Sequence, residues 1–352
     1  ISDTAKKIGA VNTVVNKNGK LYGYNTDFSG LHALLVRQRA DLKGGKVLIL
    51  GSGGTSKTAA AVAEDLGAKE IYRVSRSGAD GAITYDEAYK KHGDATAIIN
   101  TTPCGMYPNI GASAIDLSRF ENVKSVTDAV YNPLSSALVI SARERGINAT
   151  GGLYMLVSQA AYAVEKFTGG SISADKTEEV YREILRDKKN IVLIGMPGCG
   201  KTTIGKISAD RLHKEFIDTD DEIIKRINIP IAEYFAKHGE ESFRKLESEV
   251  IKGISACRSS VIATGGGAVL NPANIRLLKE NGTVIFIDRP LEKLVTTADR
   301  PLSSSRELLE KRYKERYGLY CAAADIKIDA VNEIEQNVKN IEEVFLNENS
   351  CN

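Results

Sequence analysis

The sequence lacks the features that define several large classes of protein. Its net charge is only +2, with 47 lysines and arginines against 45 aspartates and glutamates. A balance this even provides no basic surface for nucleic acid or for an anionic membrane. A long uncharged stretch that includes residues 97–115 contains Pro103, Pro108 and glycines, so it predicts loops rather than a membrane span. We therefore expect small molecules as ligands, with neither nucleic-acid nor membrane partners.

Cysteine and histidine are too sparse and scattered to build a disulfide framework or a transition-metal centre. The five cysteines have no C-x-x-C spacing, and the four histidines have no metal-ligand spacing. An odd, dispersed set of cysteines is typical of reduced thiols, so we expect a cytoplasmic protein. No signal peptide is recognisable, and the first residue is Ile1 rather than methionine, so we expect the sequence to start inside a longer product.

What the sequence does contain is an alternation of strand-like and helix-like stretches over 352 residues. That length favours two domains, and the alternation favours α/β architecture. A dense run of charge places the domain boundary between residues 187 and 188. Strands are predicted at residues 46–50, 71–74, 97–100, 125–129 and 190–194, and helices at residues 55–66, 154–167 and 204–212.

The most informative motif is G-M-P-G-C-G-K-T, which follows the predicted strand 190–194. It matches the phosphate-binding P-loop, in which glycines let backbone N–H groups face phosphate oxygens at the start of a helix. The lysine reaches the outer phosphates, and the threonine hydroxyl ligates Mg²⁺. The cysteine is either a reactive thiol or a small loop filler. The predicted ATP-binding residues are Gly195, Gly198, Cys199, Gly200, Lys201, Thr202 and Thr203.

A second glycine-rich loop follows the predicted strand 46–50 and reads G-S-G-G, with Gly51, Gly53 and Gly54. Its strand–loop–helix context predicts a dinucleotide pyrophosphate at the helix start. The next strand ends in Ser75-Arg76-Ser77, where an NAD enzyme carries an acid. An arginine between two hydroxyls suits the 2′-phosphate of NADP, although spacing alone also allows a solvated surface charge.

Five motifs of the first half occur in the order seen in one enzyme family. They are G-A-V-N-T at residues 9–13, N-T-D at 25–27, N-T-T-P at 100–103, D-A-V-Y-N-P at 128–133 and M-L-V-S-Q at 155–159. With them, the first half resembles shikimate dehydrogenase, which implies a Rossmann-like NADP domain. The resemblance implies that Asn12, Asp27, Tyr131 and Gln159 bind or approach substrate, that Asp27 is catalytic, and that Asn100, Thr101, Thr102 and Met155 line the cofactor site.

One feature of that family has no counterpart here. Its catalytic lysine lies upstream of the G-A-V-N-T motif, and Lys6 and Lys7 lie too close to the motif to replace it. Carbonyl reduction requires a proton donor and a positive group facing the developing alkoxide, and ionised Asp27 cannot supply both. We therefore expect NADPH-dependent reduction to need residues upstream of Ile1.

Acidic residues follow the P-loop at the end of a further predicted strand, as Asp218-Thr-Asp220. One acid of such a pair can hold Mg²⁺ through water while the other accepts a proton from an attacking hydroxyl. A surface turn with two acids is the alternative. GTPase and protein-kinase motifs (N-K-x-D, H-R-D and D-F-G) are absent from the sequence, which favours a small-molecule kinase.

Four more segments complete the pattern of the second half: F-R-K-L-E with Arg244, G-G-G at residues 265–267, D-R-P-L with Arg300, and E-R-Y-G-L-Y with Arg316. Together with the P-loop and D-T-D they resemble shikimate kinase, which implies a P-loop, three-layer α/β domain. The resemblance implies that Lys201 and Arg300 stabilise the transferring phosphoryl group and that Asp218 holds Mg²⁺ through water. It assigns substrate binding to Asp220, Arg244, Gly265, Gly266, Gly267 and Arg316, with Asp220 also catalytic.

The sequence therefore predicts a dehydrogenase segment, residues 1–187, followed by a kinase domain, residues 188–352. Within the first segment the NADP-binding core spans about residues 32–149, and residues 1–31 and 150–187 belong to a substrate domain. The expected cofactors are ATP, Mg²⁺ and NADP(H), and the expected substrates are 3-dehydroshikimate and shikimate. Two alternatives stay open. In the first alternative, the first half is only a nucleotide-binding or structural module. In the second, the kinase acts on another polyol acid such as gluconate.

Overall fold

The computed structural model describes residues 1–294, 306–331 and 333–351, without the side chains of residues 348–351. The chain divides into two compact units, Ile1–Glu183 and Ile184–Asn352. The division falls inside one helix, Ala174–Lys188, and the boundary predicted at 187/188 coincides with the end of that helix. Among the described residues, no helix combines the length and the apolar character needed to cross a bilayer.

The first unit contains eight strands and seven α-helices among its described elements. In chain order they are α1 (Asp3–Ile8), β1 (Thr13–Lys17), β2 (Lys20–Tyr24), α2 (Thr26–Gln38), β3 (Lys46–Leu50), α3 (Gly54–Asp65), β4 (Glu70–Ser75), β5 (Ile83–Thr84), α4 (Tyr85–Lys91), β6 (Ala97–Asn100), β7 (Ser125–Asp128), α5 (Ala137–Glu144), β8 (Asn148–Thr150), α6 (Leu153–Thr168) and α7 (Ala174–Lys188).

Six of these strands form a parallel sheet in the order β5-β4-β3-β6-β7-β8. This is the strand order of a dinucleotide-binding sheet. Strands are added along the chain on one side of β3 first, and from β6 onwards they are added on its other side. Val47–Leu50 of β3 are fully buried, because helices cover both faces of the sheet. The strands β1 and β2 pair separately as an antiparallel ribbon.

The second unit begins with the strand that precedes the P-loop. Its elements are β9 (Asn190–Ile194), α8 (Lys201–Arg211), β10 (Glu215–Asp218), α9 (Thr219–Ile227), α10 (Ile231–Ile254), β11 (Ser260–Ala263), α11 (Pro272–Asn281), β12 (Gly282–Asp288), α12 (Arg306–Ala323), β13 (Ile326–Asp329) and α13 (Ile334–Cys351). α10 bends at Gly239, whose φ of 76° interrupts the helical conformation.

The sheet of the second unit is also fully parallel, with the order β10-β11-β9-β12-β13. Ile191–Ile194 in its central strand are fully buried and form the centre of the hydrophobic core. Helices pack on both faces, so the unit has three layers. Both units therefore have the α/β folds that the sequence predicts, and in each a glycine-rich loop follows a buried central strand.

Candidate functional sites

The P-loop joins β9 to α8 through Gly195 and Gly200. Gly195 has a φ of 149°, and a Cβ atom there would lie 2.7 Å from the carbonyl oxygen of Ile287. Gly200 precedes α8 and has no side chain to cap the first N–H groups of the helix. Those N–H groups and the positive end of the helix dipole are therefore available to phosphate oxygens.

Lys201 opens α8 and is 7% exposed. Its Nζ donates to the carbonyl oxygens of Gly195, at 2.9 Å, and Met196, at 3.0 Å. These contacts hold the ammonium group inside the curl of the loop, where phosphate oxygens would replace the carbonyl groups as acceptors. Cys199 lies 3.7 Å from the same Nζ, and its side chain is fully buried in the core. That burial favours a packing role for Cys199 over a reactive thiol.

Thr202 and Asp218 lie together beside the P-loop. The Thr202 hydroxyl donates to Asp218 Oδ2 at 2.8 Å. Asp218 ends β10 and caps α9, since its Oδ1 accepts from the N–H of Asp220 at 3.0 Å. A hydroxyl and a carboxylate are hard oxygen donors, and Mg²⁺ binds few protein ligands and keeps several waters. The two residues therefore fit a Mg²⁺ ion that also contacts the phosphates.

The triple-glycine segment follows β11 and contacts three surrounding groups. The N–H of Gly265 donates to Thr219 Oγ1 at 2.8 Å. A Cβ atom on Gly265 would lie 2.7 Å from Asp220 Oδ1, and one on Gly267 would lie 2.0 Å from Arg244 Nη1. Side chains larger than hydrogen would therefore displace Asp220 and Arg244. The structure thus brings together Asp220, Arg244 and the three glycines, all of which are predicted substrate-binding residues.

Arg244 is held by carboxylates of its own helix, α10. Its Nη1 lies 2.7 Å from Glu247 Oε2, and its Nη2 lies 3.3 Å from Glu240 Oε1. Glu247 is only 2% exposed, and burial is the main cause of its raised pKa, opposed by the charge of Arg244. Glu247 therefore orients the guanidinium group, a role that sequence reasoning missed although the i,i+3 spacing in F-R-K-L-E suggests the pair.

Arg316 lies on α12, a charged helix on which most arginines are solvated. It is nevertheless 5% exposed, and its Nη1 donates to the carbonyl oxygen of Gly266 at 3.0 Å. Tyr320, one turn further along, donates its hydroxyl to the same oxygen at 2.5 Å. These bonds fix Arg316 against the triple-glycine segment. Arg300, the other predicted arginine of this site, lies outside the described residues.

In the first unit, the loop after β3 leads into α3 behind Gly53. Gly53 provides no side-chain cap, and Cβ atoms on Gly53 and Gly54 would meet nothing within 4 Å. The backbone is thus open to close approach by a pyrophosphate. Gly51 has a φ of 123°, and a Cβ there would lie 2.6 Å from Thr101 Oγ1.

The predicted NADP-selective residues follow β4. Ser75 Oγ accepts from the N–H of Gly78 at 3.1 Å, and Ser77 Oγ accepts from the N–H of Ala79 at 3.3 Å. These two bonds shape the turn, on which Arg76 is exposed. An exposed guanidinium at the carboxyl end of the second strand of the sheet is available to a 2′-phosphate.

Asn100 ends β6 on the other side of the cofactor cleft and is fully buried. Its Oδ1 accepts from the N–H of Thr102 at 3.0 Å, and its Nδ2 donates to Asp128 Oδ1 at 2.8 Å. Asp128 also accepts from the N–H of Val130 at 2.9 Å and from Ser136 Oγ at 2.5 Å. Burial raises the pKa of Asp128 to about 6, against these hydrogen bonds. Asp128 thus ties the Asn100–Thr102 turn to the segment that carries Tyr131.

The predicted substrate residues of the first unit converge from three elements. Asn12 Oδ1 accepts from the N–H of Thr26 at 2.8 Å, and Thr26 Oγ1 lies 3.4 Å from Gln159 Oε1. Burial raises the pKa of the Asp27 carboxyl, and a hydrogen bond with Asn12 opposes the shift. Asn12, Asp27 and Gln159 therefore form one cluster between β1, α2 and α6.

Tyr131 and Met155 complete the predicted set. Tyr131 is 45% exposed, whereas Met155 is 8% exposed and lies on α6. The backbone of Met155 packs closely on α2, since a Cβ on Gly30 would lie 2.8 Å from its carbonyl oxygen. Lys6 pairs with Asp3 at 3.5 Å and Lys7 pairs with Glu64 at 2.9 Å, so the described partners of both lysines are carboxylates other than Asp27.

Each unit has a glycine-rich, phosphate-binding loop that follows a central parallel strand. The chain therefore has two nucleotide-dependent α/β units. A family model described as shikimate kinase matches residues 197–345. A shikimate kinase of Clostridium botulinum is 44% identical over 164 residues, which cover 46% of this chain and 99% of the relative.

The first unit has its own relatives. A shikimate dehydrogenase (NADP(+)) of Clostridium perfringens is 37% identical over 200 residues, which cover 52% of this chain and 71% of the relative. The crystal structure of a chorismate mutase/shikimate 5-dehydrogenase fusion protein from Clostridium acetobutylicum superposes with a TM-score of 0.50 at 36% identity, covering 52% of this chain and 70% of that chain. The chain belongs to two families, the shikimate dehydrogenases through its N-terminal half and the shikimate kinases through its C-terminal part.

Proposed function

We propose that the second unit transfers the γ-phosphoryl group of ATP to a hydroxyl of shikimate, forming shikimate 3-phosphate. The observation that carries this proposal is the convergence on the P-loop of a Mg²⁺-compatible pair, Thr202 and Asp218, with Asp220 and Arg244 around the triple-glycine segment. ATP-dependent product formation with shikimate, measured as ADP release, tests it. Release that is independent of shikimate would contradict it.

Each residue of this site has a distinct part in the proposed reaction. Lys201 neutralises charge on the transferring phosphoryl group, and Thr202 and Asp218 would hold a Mg²⁺ ion, which would supply further positive charge to the phosphates. Asp220 orients the attacking hydroxyl and accepts its proton. Arg244 and Arg316 bind the substrate carboxylate, because planar guanidinium groups match a carboxylate with paired hydrogen bonds. Arg300 completes the set in this proposal, as the second cation on the phosphoryl group.

We infer that the first unit reduces 3-dehydroshikimate to shikimate, and that NADPH supplies the hydride when bound. Gly53 and Gly54 leave room for the pyrophosphate, and Arg76 selects the 2′-phosphate. Asn12, Asp27 and Gln159 orient the substrate, and a lysine like that of the family, which residues 1–352 do not contain, would supply the cationic proton donor. Oxidation of NADPH by 3-dehydroshikimate, measured with residues 1–352 alone and with an upstream segment bearing that lysine added, tests the proposal. Full activity of residues 1–352 alone would contradict the part assigned to the lysine.

The alternative of a kinase with a passive first unit predicts a different result. In that case NADPH binds without turnover even when the upstream segment is present. The cluster of Asn12, Asp27 and Gln159 favours the catalytic proposal, because a module that only binds nucleotide has no need of it. A gluconate kinase is tested by the same ADP assay with gluconate in place of shikimate.

A further inference from the structure

A third arginine, Arg312, occupies the same face of α12 as Arg316. Arg312, Arg316 and Tyr320 follow at intervals of four residues, which places their side chains in one row along the helix. Arg316 and Tyr320 both donate to the carbonyl oxygen of Gly266. The row therefore faces the triple-glycine segment. Arg312 lies one turn before Arg316, the first of the two residues that contact that segment.

The charged groups around Arg312 are consistent with this position. Burial lowers the pKa of its guanidinium, and the positive charges of Arg316 and Arg244 lower the pKa further, while the carboxylates of Glu240 and Glu315 oppose the shift. Glu240 is also the carboxylate that pairs with Arg244 at 3.3 Å. In the described part of the chain, Arg312 forms no ion pair of its own. Three guanidinium groups therefore lie near one another. Arg244 is paired with carboxylates, and Arg316 is bonded to a carbonyl oxygen.

A solvated helix face does not account for this arrangement. Lys311 and Lys314, which flank Arg312 on the same helix, are exposed, whereas Arg312 is half-buried. Bringing a third cation into a partly desolvated cluster costs free energy, and a bound anion recovers it. The arrangement is therefore one that fits an anionic group between the triple-glycine segment and α12.

We propose that Arg312 is a third guanidinium of the carboxylate site and determines specificity for anionic over neutral ring substrates. The inference rests on the proposed kinase function, and it adds to Arg244 and Arg316 a residue that acts mainly on substrate affinity. Asp220 and the P-loop, which carry out phosphoryl transfer, are unaffected by its removal. Arg312 therefore contributes to the KM for shikimate and little to kcat.

The experiment compares Arg312→Ala, Arg312→Lys and the control Lys311→Ala in the whole chain. Initial rates of ADP release are measured with shikimate and with its neutral carboxamide at saturating ATP. We expect Arg312→Ala to raise the KM for shikimate about five- to tenfold, as for the loss of one partly screened charge contact, with kcat changed less than about twofold. The carboxamide reaction stays unchanged, Arg312→Lys recovers most of the affinity, and Lys311→Ala matches the unaltered chain.

Two results would overturn the inference. One is an unchanged KM for shikimate in Arg312→Ala. The other is an equal loss with the acid and the carboxamide, which would indicate a structural role on α12. Failure of the proposed function is separate and visible in the unaltered chain, as an absence of shikimate-dependent ADP release.

Discussion

The two glycine-rich loops share a scaffold and differ in what they place around the phosphate. In the second unit, Lys201 is buried inside the loop and donates to two carbonyl oxygens of the loop itself. In the first unit, the corresponding loop has open space at Gly53 and Gly54, and the nearby Lys57 is exposed. Neither helix start carries a side-chain cap.

This difference separates two uses of one strand–loop–helix unit. A buried lysine inside the curl suits charge that moves between phosphate oxygens during group transfer. An open glycine backbone suits a pyrophosphate that is held in place while chemistry occurs elsewhere on the cofactor. The same local fold thus supports phosphoryl transfer in one unit and cofactor binding in the other.

Replacing the buried lysine should have the largest effect and should affect one unit only. We expect Lys201→Ala to lower kinase kcat about a hundred- to a thousandfold, as for loss of a preorganised group that stabilises transition-state charge. NADPH affinity, followed by fluorescence, should not change. Lys206→Ala, on the same helix and exposed, is the matched control. Loss of NADPH binding in Lys201→Ala would show that the two nucleotide sites are not independent.

Removing the guanidinium held by Glu247 should have the next largest effect. We expect Arg244→Ala to lose about 2–4 kcal/mol of transition-state stabilisation in kcat/KM for shikimate, since charge-assisted bonds to the substrate disappear. Lys245→Ala removes the neighbouring charge, which is 73% exposed, and should leave kcat/KM near that of the unaltered chain. Equal effects of the two variants would argue against a carboxylate site at Arg244.

In the first unit, the buried Asp128 makes a prediction about pH. Its pKa is raised from 3.8 to about 6, so the folded unit binds the proton more tightly than the unfolded chain. Stability therefore falls as pH rises from about 4 to about 6. In Asp128→Asn the amide oxygen still accepts from Asn100 Nδ2, and the amide nitrogen donates to Ser136 Oγ, so the variant should remove that slope and gain about 2–3 kcal/mol at neutral pH by the conversion of pKa shifts.

Calorimetric unfolding of Asp128→Asn and of the unaltered chain over this pH range measures the effect. The unfolding transition of the second unit provides the internal control, because Asp128 lies in the first unit. A slope that persists in the variant would assign the pH dependence to other groups.

The smallest effect is expected at Cys199. Its side chain is buried against Gly195 in the core, so Cys199→Ala should cost about 1 kcal/mol of stability and change kcat less than about twofold. Treatment with an alkylating agent should leave the kinase active. Rapid inactivation that ATP prevents, and that Cys199→Ala abolishes, would show that the thiol is accessible in solution.

Local sequence patterns predicted much of the fold because the two loops impose strict local requirements. Strands at 46–50, 97–100 and 190–194 match β3, β6 and β9, since short, mainly apolar runs fit buried parallel strands. Helix ends differ by one to three residues: α3 begins at Gly54 and ends at Asp65 rather than spanning 55–66, and α8 begins at Lys201 rather than at residue 204.

The supporting residues of both sites could not be predicted in the same way. Asn100 itself was predicted, but its pairing with Asp128 follows from the register between β6 and β7, which depends on long-range packing. Glu247 and Arg312 lie on charge-rich helices whose pattern resembles that of a solvated face. Only the packing of those helices brings Glu247 next to Gly265 and places Arg312 on the face of α12 that carries Arg316.

The central claim is that each unit has its own nucleotide site, and a titration of one sample with both nucleotides tests it most directly. The account predicts that NADPH binds with an unchanged affinity in the presence of saturating ATP and Mg²⁺. It also predicts that Lys201→Ala weakens the binding of ATP and leaves the binding of NADPH unchanged. Displacement of NADPH by ATP, or a joint loss of both affinities in that variant, would contradict it.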